Sequence, residues 1–315
     1  MTDKNVVIGI DTSNYTTSVA LMTLDGELLS NVKRPLRVKE GERGLRQSDA
    51  VFAHVKNLPD AMQEIREHMV GKQLAAVGVS EKPRNTEGSY MPCFLSGVAA
   101  AESVGAAASV PVFRFSHQCG HLMAALYSSG VDFDKWQEFG AFHISGGTTE
   151  LLRVRPTENA FSAELVGGTR DLNAGQIIDR IGVHLGLSFP AGPSLEREAL
   201  LCKATPHYKR PKTDGTYANL SGLENIAIKH YSETGDAPST AALVFSYLGD
   251  AIVQMARGYE EKYGKGPLLF AGGVMCNSII KARLKAGFSA YFAEPMLSAD
   301  NAVGIAELAR KNYLK

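Results

Sequence analysis

Ile8-Gly-Ile-Asp-Thr-Ser-Asn-Tyr-Thr-Thr-Ser-Val-Ala20 and Phe142-His-Ile-Ser-Gly-Gly-Thr-Thr-Glu-Leu-Leu152 are one local pattern used twice. Each is a short apolar run, a tight Gly/Ser/Thr loop and a second β-prone run, which predicts a β-hairpin. Successive N–H groups in such a loop converge on one point and cradle an anion. A single Thr-rich hairpin means little, but its recurrence almost half a chain later predicts two related lobes facing one nucleotide.

Around these hairpins, strands alternate with helices, which makes the chain α/β. In the first half, Val6–Ile10, Thr17–Leu24 and Glu27–Val32 read as strands, with Asp25-Gly26 as a turn. Ser48–His68 carries Val51, Val55, Leu58, Met62 and Ile65 at helical spacing. Leu74–Ser80 and Val110–Phe115 read as strands, and Gly97–Ala108 and His117–Tyr127 as helices. The second half repeats the order with strands Gly140–Ser145, Glu150–Val154 and Ala163–Val166 and helix Ala174–Gly186. Lys203–Gly222 reads as an irregular insertion and Thr240–Tyr263 as a long helix. Strand Leu268–Ala271, helix Ser278–Lys285, strand Ala290–Phe292 and helix Asp300–Tyr313 complete it. Two meanders, each followed by αβαβ, predict two ribonuclease-H-like lobes, 1–135 and 136–315, with a nucleotide cleft between them.

Composition bounds the function. With 315 residues the chain is long enough for two cores. Formal net charge is zero, so any nucleic-acid surface must be local. The polar start Met1–Asn5 leads straight into a strand, so no signal peptide is expected. No apolar run reaches about 18 residues, so no membrane span is expected. Cys93, Cys119, Cys202 and Cys276 lack Cys-x-x-Cys spacing and read as reduced thiols of a cytoplasmic protein. Two basic groups stand out, Lys33–Arg46 and Lys209/Arg210/Lys212; few aromatics are interleaved for base stacking, so a solvated charged loop is the simpler reading of each.

His117-Gln-Cys-Gly-His121 is the sharpest single signal. Histidines at i and i+4 share a helix face and reach one metal ion. Such a pair needs a further ligand, commonly a carboxylate, and Asp300, at the start of the last helix, is a candidate; a helix cap is an equally plain role for it. Gln118 stands where a His-Glu-x-x-His peptidase has its general base, which makes a metallopeptidase the least favoured reading. Leu268-Leu-Phe-Ala-Gly-Gly-Val-Met-Cys-Asn277 is a strand running through Gly272-Gly273 into a helix, where backbone can approach a flat ligand. Asp179 and the turn Phe189-Pro-Ala-Gly-Pro193 follow the second hairpin at a ligand-edge distance.

With these pieces in place, the chain resembles the tRNA threonylcarbamoyladenosine transferase family, once called O-sialoglycoprotein endopeptidases, of the sugar-kinase/heat-shock-70/actin superfamily. The matching stretches are Gly9-Ile-Asp-Thr-Ser13, His117-x-x-x-His121, Ile144-Ser-Gly-Gly147, Ala174-Gly-Gln-Ile-Ile-Asp179, Pro190-Ala-Gly-Pro193, Leu220-Ser-Gly-Leu223, Ala271-Gly-Gly-Val274 with Asn277, and Asp300-Asn301. The resemblance implies that His117, His121 and Asp300 bind one iron or zinc ion. It implies that Ile144, Ser145, Gly146, Gly147 and Thr148 contact an adenine nucleotide, whether ATP, AMP or an acyl adenylate, together with Asp179, Gly192 and Asn277; Gly272 and Gly273 join them as the third Gly loop. The implied reaction moves a threonylcarbamoyl group from its AMP anhydride to the adenosine beside the tRNA anticodon. Implied partners are tRNA, a degenerate paralogue, a small ATPase and an enzyme supplying the adenylate; a homodimer is equally compatible.

The departures fall on the first loop. The family's Cys-Asp-Glu-Thr is here Asn14-Tyr15-Thr16-Thr17, so Asp11, Thr12, Ser13 and Tyr15 line a loop stripped of two acids. The family's Ser-Gly-Gly-His-Thr is Ser145-Gly-Gly-Thr148-Thr149, and its Arg-Gly-Pro-Gly-Leu is replaced by Glu81–Tyr90. Gly41-Glu-Arg-Gly-Leu-Arg46 is also unusual for the family. A non-enzymatic nucleotide- and metal-binding paralogue, acting as regulator or scaffold, is therefore the alternative, and Tyr15 and Thr16 favour it.

Overall fold

The computed structural model describes residues 5–37, 45–204, 206–294, 297 and 301–315. Asp300 and residues 38–44 of the first basic group, Lys39 and Arg43 among them, lie outside the described residues.

The chain divides into two compact units. The first contains β1 (Asn5–Ser13), β2 (Thr16–Thr23), β3 (Leu28–Pro35), α1 (Gln47–Arg66), β4 (Gln73–Lys82), α2 (Phe94–Ala108), β5 (Val112–Ser116) and α3 (His117–Ser129). Its sheet runs β3-β2-β1-β4-β5. The meander pairs antiparallel, whereas β4 and β5 join parallel. On one face Ile8, Ile10, Leu21 and Val79 pack against Leu58, Ala61 and Ile65 of α1 and Ala101 of α2.

The second unit contains β6 (Phe139–Ile144), β7 (Thr149–Pro156), most of β8 (Phe161–Thr169), α4 (Ala174–His184), α5 (Gly192–Leu201), β9 (Thr213–Asp214), β10 (Tyr217–Ala218), α6 (Gly222–Thr234), α7 (Ala237–Tyr263), β11 (Leu268–Ala271), α8 (Ser278–Lys285) and β12 (Ala290–Phe292). Its sheet order is β12-β11-β6-β7-β8-β10-β9. With the short edge strands β9 and β10 set aside, the second sheet, like the first, runs third, second, first, fourth, fifth in chain order, and the duplication expected from the two hairpins is a duplication of topology. The core of this unit is α7, opened by Asp236, whose carboxylate accepts from the Ser239 N–H at 3.0 Å. It buries residues on every side from Ser239 to Tyr259.

The last helix, α9 (Ala302–Tyr313), belongs to the first unit, although chain order puts it with the second. It buries Ala302, Val303 and Ala306 against Ala20 and Met22 on the face of the first sheet opposite α1. Glycine makes the approach possible: a Cβ on Gly9 would sit 2.2 Å from the Ala302 carbonyl oxygen. Residues Thr157–Ser162, at the tip between β7 and β8, also group with the first unit.

Two helices differ from the sequence expectation. α5 and α6 bury only Leu195 with Ala199, and Leu223 with Ala227, so neither carries enough apolar period to announce itself. The insertion is irregular as expected, except that β9 and β10 extend the edge of the second sheet beside β8. Gly272-Gly273 does not lead directly into a helix; a 3₁₀ turn, Gly273–Cys276, intervenes before α8. No helix among the described residues is long and apolar enough to cross a membrane.

Candidate functional site

The first unit carries a carboxylate–imidazole cluster where β1, β4, α3 and the start of α9 meet. Asp11, near the end of β1, is 1% exposed. Its Oδ1 accepts from the Ser80 hydroxyl on β4 and from Asn301 Nδ2 at 2.7 Å. The same oxygen lies 2.9 Å from His117 Nδ1. Burial by itself would raise the Asp11 carboxyl; the positive field and hydrogen bond of His117, the Ser80 hydroxyl and His121 outweigh it and hold Asp11 well below the usual carboxylate range.

His117 is the first residue of α3, whose cap Ser116 accepts from the Cys119 N–H at 3.2 Å. One turn on, His121 presents Nε2 only 3.0 Å from His117 Nε2. At metal–nitrogen bonds of about 2.1 Å, that separation corresponds to an angle of about 90° at a shared ion. A carboxylate on the far nitrogen of a ligating imidazole is the usual orienting partner. The pair therefore fits a transition metal. Among the described residues no third His, Cys, Asp or Glu joins it, and the expected third ligand, Asp300, lies outside them. Asn301, at the N-cap of α9, makes no cap hydrogen bond: its Nδ2 faces Asp11 and His117, and its buried Oδ1 has no partner among the described residues.

The rewritten first loop is a two-residue turn: Ser13 pairs with Thr16, leaving Asn14 and Tyr15 at the tip. The Asn14 side-chain oxygen accepts from Gln47 Nε2 at 2.6 Å, and Gln47 Oε1 accepts from the Cys93 N–H at 3.3 Å. Tyr15 is exposed. Thr12 is buried and works structurally, donating to the Cys93 carbonyl and accepting from the Gly97 N–H. Ser13 N–H contacts Asp11 Oδ2 at 3.3 Å. Of the four loop residues, Asp11 alone reaches the histidine pair.

The second unit holds a cavity of about 280 Å³. Its walls are apolar at Ile178, Pro193, Phe245 and Val274, with Asp179, Glu196 and Asn277 as the side-chain acids and amide. That mixture, an apolar slot with few polar groups, is typical of small-ligand sites. Gly146, Gly192 and Gly273 also line it. Asp179 Oδ1 accepts from the Ala191 N–H at 2.8 Å and so braces the Pro190–Pro193 turn. Asn277 caps α8 through Oδ1, 3.0 Å from the Ile280 N–H, while its buried Nδ2 has no partner. An unsatisfied buried donor is costly and marks a place for an acceptor on a ligand.

The remaining expected residues have other positions. Ile144 is fully buried and sits in the core. Gly272, at φ +97°, packs on the Ile144 backbone, where a Cβ would fall 2.2 Å from its carbonyl oxygen. The two shape the floor without lining the cavity. Ser145 closes its hairpin, N–H to the Thr148 carbonyl at 2.8 Å. Gly147 and Thr148 line a second cavity of about 190 Å³ with Glu150, Asn173 and Tyr217. Glu196, Phe245 and Cys276 were missed by sequence reasoning. Glu196 lies one helical turn after Gly192 on α5, so recognising that helix would have revealed it.

A family model described as tRNA N6-adenosine threonylcarbamoyltransferase matches residues 27–307. A protein of that name from Streptococcus suis (strain 05ZYH33) is 30% identical over 330 residues, covering all of this chain and 94% of its own. Another from Ligilactobacillus salivarius (strain UCC118) is 28% identical over 94% of this chain and 86% of its own. Among solved structures, component A of the Acidaminococcus fermentans (R)-2-hydroxyglutaryl-CoA dehydratase superposes with TM-score 0.54 at 14% identity, covering 98% of this chain and 99% of that one. Full-length HypF in a phosphate- and nucleotide-bound form gives TM-score 0.59 at 11% identity over 98% of this chain and 55% of that one. At such identities these structures establish the two-lobed fold and no more.

Proposed function

The chain belongs to the tRNA N6-adenosine threonylcarbamoyltransferase family, a family of tRNA-modifying transferases, and from that membership we propose a specific division of labour for its two sites. The cavity of the second unit takes the adenylate of a threonylcarbamoyl-AMP donor. The imidazole pair of the first unit holds one iron or zinc ion. In the reaction, the exocyclic amine of the target adenosine forms a bond to the carbamoyl carbon. The carbon–oxygen bond of the mixed anhydride breaks, AMP leaves with that electron pair, and the amine gives up one proton.

His117 and His121 would hold the ion through Nε2, with Asp300 as third ligand. The chemistry it supplies is Lewis-acid polarisation of a carbamoyl or phosphate oxygen. Asp11 keeps the His117 ring oriented. In the second unit, Asn277 Nδ2 donates to the nucleotide, Asp179 braces the turn at its edge, and Ile178, Phe245 and Val274 exclude water from its flat face. The observation that carries this reading is the convergence of the two Nε2 atoms with a buried carboxylate behind one ring.

Native mass spectrometry of the protein with ATP or AMP, comparing wild type with Asp300→Ala, tests it. One metal and one nucleotide on wild type, with the metal lost from the variant, is the expected result, and assay with threonylcarbamoyl adenylate and tRNA then reads transfer. Binding without transfer would favour a regulator or scaffold. Tyr15 and Thr16, which stand where the family has its two acids, favour that second reading.

A further inference from the structure

Several arginines have a carboxylate partner: Arg34 has Glu64, Arg114 has Glu102, Arg180 has Glu224. The insertion before β9 does not follow this pattern. Residues 206–213 place His207, Lys209, Arg210 and Lys212 at the surface, all exposed, with no acid among the eight positions. Among the described residues, none of these four side chains has an ion pair. The next acid along the chain, Asp214, is already taken by Arg170 at 2.7 Å.

The segment is nevertheless pinned. The Tyr208 hydroxyl donates to Asp250 Oδ2 on α7 at 2.8 Å, and that carboxylate is also bound by Arg283 of α8. Pro211 is buried between the cations. The Thr213 hydroxyl donates to Gln254 Oε1 at 3.0 Å, and Thr213 then enters β9, paired with β10. Lys209, Arg210 and Lys212 thus project from a strap fastened at both ends to the central helix. Fastening it has already removed much of the entropy that a free loop would lose on binding.

We propose that the strap 206–213 is a contact surface for RNA phosphates, with Lys209, Arg210 and Lys212 each facing the backbone. The proposal rests on tRNA being this chain's substrate. The chemistry favours RNA over an acidic protein. Protein interfaces bury aromatic and aliphatic anchors and are depleted in lysine, whereas here the one tyrosine is half-buried with its hydroxyl engaged and the proline is covered. Phosphate recognition needs cations alone. No exposed aromatic stands among them, so the strap contributes affinity and orientation without reading bases.

The test is binding of a tRNA transcript, by fluorescence anisotropy across a potassium chloride series. It compares wild type, the combined variant Lys209→Gln, Arg210→Gln, Lys212→Gln, and Lys229→Gln on α6 as a control. AMP binding reports that each protein is folded. Each phosphate contact contributes about 0.7–0.9 to the log–log salt slope, so the triple variant should lose about two to three from it. Its affinity at about 0.15 M salt should fall about tenfold to a hundredfold, with the control unchanged. A triple variant with wild-type slope and affinity would take the strap off the RNA and leave the tRNA reading intact. Wild type without RNA binding would remove that reading and the strap's role with it. Unchanged RNA affinity with lost binding of poly-glutamate would assign the strap to an acidic protein and overturn the proposal.

Discussion

The Asp11 carboxylate, 2.9 Å from Nδ1 of His117, decides which nitrogen of that imidazole carries the proton. Asn301 presents an amide N–H to the same Nδ1, which would favour the opposite tautomer if Asp11 were neutral. With Asp11 ionised, Nδ1–H donates to it and the Nε2 lone pair is left facing His121. Replacing a carboxylate by an amide behind a histidine is known to invert the tautomer in serine proteases. Asp11→Asn is therefore expected to shift His117 toward Nε2–H and to weaken metal binding about tenfold to a hundredfold. Imidazole carbon and nitrogen shifts of the metal-free protein read the tautomer, and metal titration reads the affinity. Unchanged values for both would show that Asp11 does not orient the ring.

Asn277 has two jobs that substitution can separate. Asn277→Asp keeps an oxygen to cap α8 but removes the Nδ2 donor and adds negative charge in the cavity. Nucleotide affinity should fall at least tenfold with little change in stability. Asn277→Ala should lose affinity and also about 1 kcal/mol of stability from the missing cap. Calorimetric titration with AMP and urea unfolding distinguish the two; an Asp variant that binds AMP as wild type does would show the free amide is not a ligand contact.

The sequence was most legible where one residue type does one job. The paired hairpins disclosed the duplicated topology, and the i, i+4 spacing of His117 and His121 disclosed the converging nitrogens. It was least legible where the partner is far along the chain. The Asp11–Asn301 contact spans 290 positions, and nothing local to Asn301 distinguishes it from an ordinary helix cap. Glu196 was hidden for a different reason. Its helix buries only Leu195 and Ala199, too few to show a helical apolar period in the sequence.

The docking of α9 on the first sheet gives a direct stability prediction. Gly9→Ala would press a methyl against the Ala302 carbonyl and the Ala306 nitrogen, both backbone atoms that cannot rotate away. Overpacking of this kind costs about 1–3 kcal/mol. Because Ala302 follows Asn301 directly, displacement of α9 should also weaken metal retention. A lower urea midpoint accompanied by reduced metal content is the expected outcome; wild-type stability would contradict the close approach.

Asp171 should make part of the protein acid-sensitive. Its carboxylate accepts from the Leu220 N–H at 2.8 Å, the Ser221 hydroxyl at 2.7 Å and the Leu172 N–H at 2.7 Å, fixing the Leu220–Leu223 segment at the start of α6. Burial opposes ionisation, but these hydrogen bonds win and lower its pKa from 3.8 to about 2. The stability they contribute is therefore complete above pH 3.8 and is lost as pH falls toward 2. Asp171→Ala should flatten this part of the stability profile, and a variant with an unchanged acid limb would refute it.

His54 acts in the neutral range. It is fully buried, and its Nδ1 lies 2.8 Å from the Thr17 hydroxyl, which also accepts from Asn57 Nδ2. Burial lowers its pKa below 6.5, outweighing the upward pull of the Ser13 backbone and the Asp11 charge. The unfolded chain therefore takes up the proton first as pH falls. Stability associated with neutral His54 is complete above 6.5 and declines as pH drops from 6.5 toward the lower folded value. His54→Gln should remove that slope while keeping a hydrogen bond to Thr17. A wild-type stability curve that stays flat from pH 7.5 to about 5 would show that His54 carries its proton in the folded state as readily as in the unfolded one.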